Sequence, residues 1–198
     1  GFFGMNQWEF SFEESPWETF FHTLPVGGSF SAVRFLAMME GENEEALSEA
    51  FEVLQKQDIL LDISELPKSV GSEETAVRLR REEQLVKENR LLQELEENDP
   101  LRLYLQEIAA IPVCGDPQLL AQQCASGDEN AMTQLANLML SRVVSHACDL
   151  AGRGVLLLDL IQEGSLGLWQ AILGYTGGDF ESYCDRRIRM TLASMLVR

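Results

Sequence analysis

Apolar residues recur at helical spacing through the second half of this chain, between short polar or glycine-rich breaks. Two aspartate–proline pairs each place a capping acid before a proline, so helices are predicted over 100–110 and 117–125. A third, longer helix is predicted from residue 128 to about residue 152. Its apolar stripe consists of Ala131, Leu135, Leu138, Val143, Ala147 and Leu150.

The stretch 152–169 is predicted to be a glycine-flanked turn that leads into a fourth helix, over about 158–173. At about 100° per residue one arc of this helix is apolar and is predicted to be core. It comprises Leu160, Ile161, Gly164, Gly167 and Leu168. A glycine inside a helix costs about 1 kcal/mol relative to alanine, so the two glycines suggest another backbone packed close by.

The opposite arc of the fourth helix mixes polar and large apolar side chains. It holds Asp159, Gln162 and Glu163, with Leu166 and Trp169 among them. Such a face suits a protein partner better than water. The alternative, that Trp169 covers the edge of its own core, stays open because scattered surface hydrophobes are common.

A glycine-rich break over 174–178 precedes a fifth helix, from Phe180 to the end of the sequence. The helical pattern stops at residue 198 without a cap, so we expect the natural protein to continue. The region 99–198 is therefore predicted to be an all-helical bundle.

The first part of the chain is predicted to be a small acidic module over residues 1–67. Helices are expected over 31–39 and 44–57, followed by a short strand over 59–63. A further strand over 8–12 and a helix start at Pro16 are also suggested. Aromatic residues are frequent up to residue 30, either as part of this module's core or as a docking peptide.

Between these parts, residues 68–98 are predicted to form a linker followed by one long charged helix over 73–98. Its narrow apolar stripe favours a solvated helix that leans on its neighbour. The predicted fold class is all-α: a helical bundle preceded by a small, mainly helical acidic module with a short strand.

Charge is uneven along the chain. The net charge is −17, and residues 1–99 hold 8 Lys and Arg against 22 Asp and Glu. No apolar run is long enough to span a membrane and no basic secretory start is present, so a cytoplasmic protein without a membrane partner is expected.

Enzymatic chemistry is not predicted. The sequence lacks a glycine-rich phosphate loop, a metal-ligand cluster and a nucleophile paired with a base, so no cofactor or metal is expected. Four cysteines are scattered without a C-x-x-C pair, which favours free thiols in a reducing compartment over zinc or disulfides.

Several phrases, in order over about 100 residues, resemble regions 1.2 and 2 of the sigma factors of bacterial RNA polymerase. They are Asp99-Pro100-Leu101-Arg102-Leu103-Tyr104-Leu105-Gln106-Glu107-Ile108, Gly127-Asp128-Glu129-Asn130-Ala131, Val143-Val144-Ser145, Gly152-Arg153-Gly154, Asp159-Leu160-Ile161-Gln162-Glu163-Gly164, Gly167-Leu168, Phe180, Ser182-Tyr183 and Ile188-Arg189. Residues 31–67 more loosely resemble the acidic region 1.1 of primary sigma factors.

The resemblance implies that the fourth helix docks on the clamp helices of the polymerase's largest subunit. The implied polymerase-binding residues are Asp159, Gln162, Glu163, Ser165, Leu166 and Trp169. Most sigma factors have asparagine at the position of Ser165, and methionine is common at the position of Trp169. The larger aromatic anchor could compensate for the lost amide, since tryptophan is a frequent hot spot.

The resemblance also implies contact with the non-template strand of the promoter's minus-ten element, through aromatics that stack on flipped bases. Phe180 and Tyr183 match two of these aromatics, but Arg186 and Arg187 stand where two tryptophans normally follow, and Met190 replaces a base-reading glutamine. The implied DNA-binding residues are Phe180, Tyr183, Arg186, Arg187 and Arg189. Alternatively, the two aromatics belong to the bundle core and the arginines to a solvated face.

Three functions follow. The first is a divergent sigma factor that binds core polymerase and contacts minus-ten DNA. The second is a sigma-like regulator that docks on polymerase without melting a promoter. The third, of another class, is an acidic protein-interaction module with no role in DNA binding. The sequence identifies neither the promoter set nor the oligomeric state.

Overall fold

The computed structural model describes residues 16–66 and 72–197. It divides into two compact units, one ending at Asp62 and the other beginning at Ile63. The segment predicted as a linker and charged helix thus belongs to the second unit. None of the helices in the described residues is long and apolar enough to cross a membrane.

The first unit contains three helices and two strands among its described residues. Helices α1, α2 and α3 and strands β1 and β2 span Pro16–His22, Ala32–Met38, Glu44–Lys56, Ser29–Ser31 and Leu60–Asp62. The strands pair in parallel, with Phe30 opposite Leu61. The predicted helices and the strand near residue 60 are therefore confirmed, whereas the suggested strand over 8–12 lies outside the described residues.

Aromatic side chains form the core of the first unit. Phe35 stacks on Phe21 and Phe51, with ring centroids 5.8 and 5.1 Å away. Trp17 and Phe30 are also buried. Aromatic pairs in these geometries add to the burial of their area. For the described part of the aromatic segment, the core interpretation is therefore the one that the structure supports.

The second unit is built from helices alone in its described part. Helices α4 to α10 span Glu73–Lys87, Leu91–Glu94, Pro100–Ala110, Pro117–Ala125, Glu129–Cys148, Leu157–Gly174 and Phe180–Leu196. Asp99, Asp128 and Asp179 accept hydrogen bonds from backbone amides at the starts of α6, α8 and α10. The all-α bundle predicted for this half is confirmed.

The single charged helix predicted over 73–98 is wrong. The helix α4 ends at Lys87, and Asn89 adopts the left-handed conformation with φ of +55°. The amide of Asn89 donates to the carbonyl of Val86, and that of Arg90 to Leu85. This is a Schellman motif, in which asparagine replaces the more usual glycine. The charge pattern of the segment carried no signal for this stop.

Helix α9 is the most central helix of the second unit, packed between α8 and α10. Its predicted apolar arc is buried, with Leu160 and Ile161 fully enclosed. A Cβ on Gly164 would lie 2.8 Å from Cγ1 of Val143, and one on Gly167 would lie 2.5 Å from Oγ1 of Thr191. The prediction of another backbone close to these glycines is therefore wrong: the space is taken by the branched side chains of Val143 and Thr191.

Candidate functional site

The outer face of α9 carries an apolar stripe. Leu166, Trp169 and Leu173 recur at three- and four-residue intervals and are 59%, 40% and 59% exposed. Exposed apolar residues scattered singly need no explanation, but three on one stripe of a helix form a continuous patch. Leu173 was not predicted from the sequence, although the same helical period extended by one turn reaches it.

Polar side chains border this stripe on the first half of α9. Asp159 and Gln162 are exposed, and Glu163 is half-buried. The hydroxyl of Ser165 donates to the carbonyl of Ile161 at 2.8 Å, within its own helix. Its only proton is therefore committed within the helix, and Ser165 can offer a partner only a hydrogen-bond acceptor.

The first turn of α9 is capped from a distant part of the chain. Leu156, at the N-cap position, makes no side-chain cap bond, but the amide of Leu157 donates to Oε2 of Glu82 at 3.0 Å. Glu82 lies on α4 and is only 1% exposed. Burial raises the pKa of this carboxyl, and the hydrogen bonds from Leu157 and Arg78 oppose that rise.

Arg78 connects Glu82 to a second helix start. Its Nε donates to Glu82 at 3.0 Å, and its two terminal nitrogens bind Asp99 at 2.7 and 2.9 Å. Asp99 in turn accepts from the amide of Leu101 at 2.9 Å, which caps α6. The pKa of Asp99 is lowered, chiefly by its hydrogen bond with Arg78.

Aromatic rings meet where α9 gives way to α10. Tyr175 lies 5.2 Å from Phe180 and 5.8 Å from Tyr183, measured between ring centroids. The side chain of Gln118 joins this cluster, donating to the hydroxyl of Tyr175 and accepting from the amide of Phe180, both at 2.9 Å. Tyr175 and Gln118 had no distinguishing signal in the sequence.

The two predicted DNA-binding aromatics differ in exposure. Phe180 is fully buried and belongs to the main core cluster, whereas Tyr183 is partly exposed. In this arrangement Phe180 offers no ring surface to a base, so the core alternative holds for it. Its ring instead supports Tyr183 from behind, at a centroid distance of 6.5 Å.

The arginines of α10 occupy different settings. The guanidinium of Arg187 lies 5.8 Å from the ring centroid of Tyr183, within the range of a cation–π contact, and its buried Nε has no hydrogen-bond partner among the described residues. Arg189 is exposed and Arg186 is half-buried. Tyr183 and Arg187 therefore form a stacked pair at the surface.

Acidic groups lie on another side of α10. Arg142 of α8 binds Glu181 at 2.8 Å and Asp185 at 2.6 Å, and His146 contacts Asp185 at 3.1 Å. These carboxylates are partly neutralised by α8, which reduces their repulsion of an anionic ligand at the neighbouring arginines. The cluster fastens α8 to α10.

The four cysteines are all unpaired in the structure. Burial raises the pKa of Cys148 to about 11 and that of Cys184 to about 12. Such thiols stay protonated at neutral pH and are poor nucleophiles. Among residues 16–66 and 72–197, no group of three His, Cys, Asp or Glu side chains is placed to hold a metal ion.

Part of the second unit is similar to a known protein family. Residues 135–198 match the family described as Sigma-70 region 2. Over 100 residues, covering 48% of this chain, the sequence is 42% identical to an RNA polymerase sigma factor SigA from a Bacillus species. Over the same length it is 41% identical to that from Clostridium acetobutylicum and 40% identical to that from Listeria monocytogenes.

This chain spans about a quarter of the length of these relatives, 26% to 27%. Residues 135–198 contain most of α8, the whole of α9 with its exposed apolar stripe, and α10. The ordered phrases, the all-helical bundle and the match over residues 135–198 agree that this part of the chain is similar to sigma-70 region 2.

Proposed function

We propose that this protein is a sigma-like transcription initiation factor, which binds core RNA polymerase through α9 and contacts promoter minus-ten DNA through α10. The proteins it resembles are named RNA polymerase sigma factors. The observation that carries the polymerase contact is the exposed stripe of Leu166, Trp169 and Leu173 on an otherwise buried helix. A stable monomer gains nothing from leaving such a stripe in water.

The stripe has the composition of an interface centre with a polar rim. A partly buried tryptophan surrounded by leucines and bordered by Asp159, Gln162 and Glu163 matches the usual arrangement of an aromatic anchor inside a hydrated border. The proposed occupant is the pair of clamp helices in the largest polymerase subunit. Helix-on-helix packing buries such a stripe along its length.

The DNA contact is proposed for Tyr183, Arg186, Arg187 and Arg189. The pair of Tyr183 and Arg187 presents a ring and a guanidinium plane, and both can stack on an unpaired base. Exposed Arg189 can bind phosphate. Phe180 acts as the buried support of this surface and not as a base-stacking residue.

A regulator that docks on polymerase without melting a promoter is the second candidate. The burial of Phe180 favours it, because this position supplies no free ring for a flipped base. Arg186 and Arg187 in place of the usual tryptophans favour it as well. The protein-interaction module of another class is the third candidate, since residues 1–99 hold 22 of the 32 acidic side chains.

The test is capture of core RNA polymerase by the full chain, followed by transcription from a minus-ten promoter with and without the protein. Capture with promoter-dependent transcription supports the first candidate. Capture with unchanged or reduced transcription supports the regulator. No capture, by a chain that is folded by circular dichroism, refutes the polymerase dock and leaves the interaction module.

We further propose that the acidic first unit restrains DNA binding, by occupying a basic channel of polymerase or by repelling free DNA. Removing residues 1–71 retains Ser72, whose side chain accepts from the amide of Thr75 and caps α4. The shortened chain should bind a minus-ten fork DNA more tightly at low salt and about equally at high salt. Equal affinity at low salt would contradict the proposal.

A further inference from the structure

The start of α9 differs from the other long helix starts of the second unit. Aspartates at the N-cap accept from backbone amides at the starts of α6, α8 and α10. Leu156, at the same position before α9, has no group that can do so. The first amides of any helix lack a partner within the helix, so α9 needs an acceptor from elsewhere.

Glu82 supplies this acceptor from α4, 75 residues earlier in the chain. Its carboxylate accepts from the amide of Leu157 and lies at the positive end of the helix dipole. A serine or aspartate at position 156 would accept from the amide of Leu158 or Asp159 without burying a distant charge, but it would not reach the amide of Leu157. The long-range bond adds something that a local cap lacks, which is a fixed connection between α9 and α4.

This connection requires the carboxylate of Glu82 to lose its hydration. Glu82 is the one charged side chain that is buried among the described residues. Taking a carboxylate out of water is unfavourable by several kcal/mol unless charges and donors compensate. Arg78 compensates at 3.0 Å, and Arg78 is itself oriented by two bonds to Asp99.

Two further observations show that α4 lies close to the turn before α9 and to its first residues. Gly152, in the turn before α9, has φ of +82°, and a Cβ there would lie 2.8 Å from Oε2 of Glu83. Leu158 and Asp159 line the same cleft as Arg78. Asp159, the first residue of the proposed docking face, is thus next to the charged network that contains Glu82.

We infer that Glu82 is a positioning residue for the docking helix: through the amide of Leu157 it fixes the rotation and axial position of α9, and so the placement of the exposed stripe. The effect on polymerase binding rests on the proposed function. Glu82 is only 1% exposed, so it is proposed to act through α9 and not by contact with the polymerase. A small rotation at the first turn displaces Leu166, Trp169 and Leu173 together, because they lie on one continuous helix.

The experiment compares Glu82→Ala and Glu82→Gln in the full chain, with Glu74→Gln as a control that removes an exposed carboxylate from the same helix. Affinity for core polymerase is measured alongside amide hydrogen exchange of α9, under conditions where circular dichroism shows every variant folded. Glu82→Ala should weaken binding at least tenfold. Glu82→Gln should recover part of the loss, because its amide oxygen can still accept from Leu157.

A double variant separates positioning from simple capping. Adding Leu156→Asp to Glu82→Ala supplies a local acceptor for the amides of Leu158 and Asp159, which should restore slow exchange at those two amides while binding stays at least threefold weaker than wild type. Full recovery of affinity would reduce Glu82 to a cap and overturn the inference. Wild-type affinity in folded Glu82→Ala would overturn it as well.

Failure of the proposed function gives a different pattern. If the wild-type chain does not capture polymerase, the dock is refuted, and the position of α9 is judged on the free protein. Amide chemical shifts over 157–163 should then change and exchange should quicken in Glu82→Ala but not in Glu74→Gln. Unchanged shifts and exchange in Glu82→Ala would refute the positioning role without reference to polymerase.

Discussion

Helices α9 and α10 are neighbours in sequence and in the bundle, yet they expose opposite kinds of surface. On α9 the large apolar residues Leu166, Trp169 and Leu173 point outward, and polar groups border them. On α10 the aromatic Phe180 is turned into the core, and arginines and carboxylates occupy the surface. The proposed docking face on α9 is therefore already exposed, whereas Phe180, next to the proposed DNA contacts on α10, is buried in the core.

Single alanine substitutions should separate the two helices most clearly through stability. Phe180→Ala empties a fully buried site and should lower the free energy of unfolding by about 3–5 kcal/mol. Trp169→Ala removes a 40% exposed ring and should lower it by under about 1 kcal/mol. Urea unfolding followed by circular dichroism measures both. Similar losses of unfolding free energy in Phe180→Ala and Trp169→Ala would contradict the difference between the two helices.

Polymerase binding should show the reverse order. Trp169→Ala combined with Gln162→Ala removes the proposed anchor and part of its border, and should weaken capture of core polymerase by about a hundredfold or more. Leu119→Ala provides a matched control, because Leu119 is a 52% exposed leucine on α7. Biolayer interferometry measures the affinity. If the double variant binds core polymerase as tightly as wild type, α9 is not the docking helix.

DNA binding should depend on α10 to a smaller degree. Tyr183→Ala and Arg187→Ala each break the stacked pair and should weaken binding of a single-stranded minus-ten oligonucleotide about tenfold. Binding of wild type should also fall with salt, since phosphate contacts release counterions. Fluorescence anisotropy measures both effects. If the two variants bind DNA normally but capture polymerase, the regulator is the better description.

The smallest expected effect is the change of stability in acid, where the two carboxylates bound to Arg78 respond in opposite directions. Arg78 lowers the pKa of Asp99 below its usual 3.8, so the stability due to this pair is present above about pH 4 and lost as the pH falls through the folded-state value. The stability due to Glu82 has the opposite pH dependence. Burial raises the pKa of this carboxyl above 4.5, so its contribution to the free energy of unfolding is present below pH 4.5 and is lost as the pH rises through the folded-state value.

Asp99→Asn should therefore lower the free energy of unfolding at neutral pH and flatten its decline in acid. Asp179→Asn, which removes the charge but not the capping oxygen of the exposed N-cap of α10, serves as the control and should change the acid limb less. Urea unfolding at neutral pH and at about pH 3 gives the comparison. Equal effects of the two variants would show that burial next to Arg78 adds nothing.

Much of the second unit could be predicted because its signals are local. The proline and glycine breaks and the capping aspartates gave helix starts within about a residue, and the 3.6-residue period of α9 separated its buried arc from its exposed one. The stop at Asn89 was missed because asparagine in the left-handed conformation leaves no periodic trace. Leu173 was missed because the pattern was followed only to Trp169.

The contacts that hold the candidate site depend on residues far apart in sequence. Glu82 stands in the run Arg80-Arg81-Glu82-Glu83, which has the composition of a solvated helix face, and its partner Leu157 follows 75 residues later. Gln118 similarly reaches across 62 residues to the amide of Phe180. Periodicity and capping rules describe neighbours along the chain, so they carry no information about such pairs.

The exposure of Trp169 also makes this protein its own optical sensor. Tryptophan emission moves to shorter wavelength when water leaves the ring, and Trp17 is already 4% exposed, so its environment is apolar before any partner binds. Replacing Trp8, which lies outside the described residues, with phenylalanine would leave Trp169 as the tryptophan that reports on its surroundings. A blue shift on mixing with a tryptophan-silent partner would register the arrival of that partner on α9 in real time, without any attached dye.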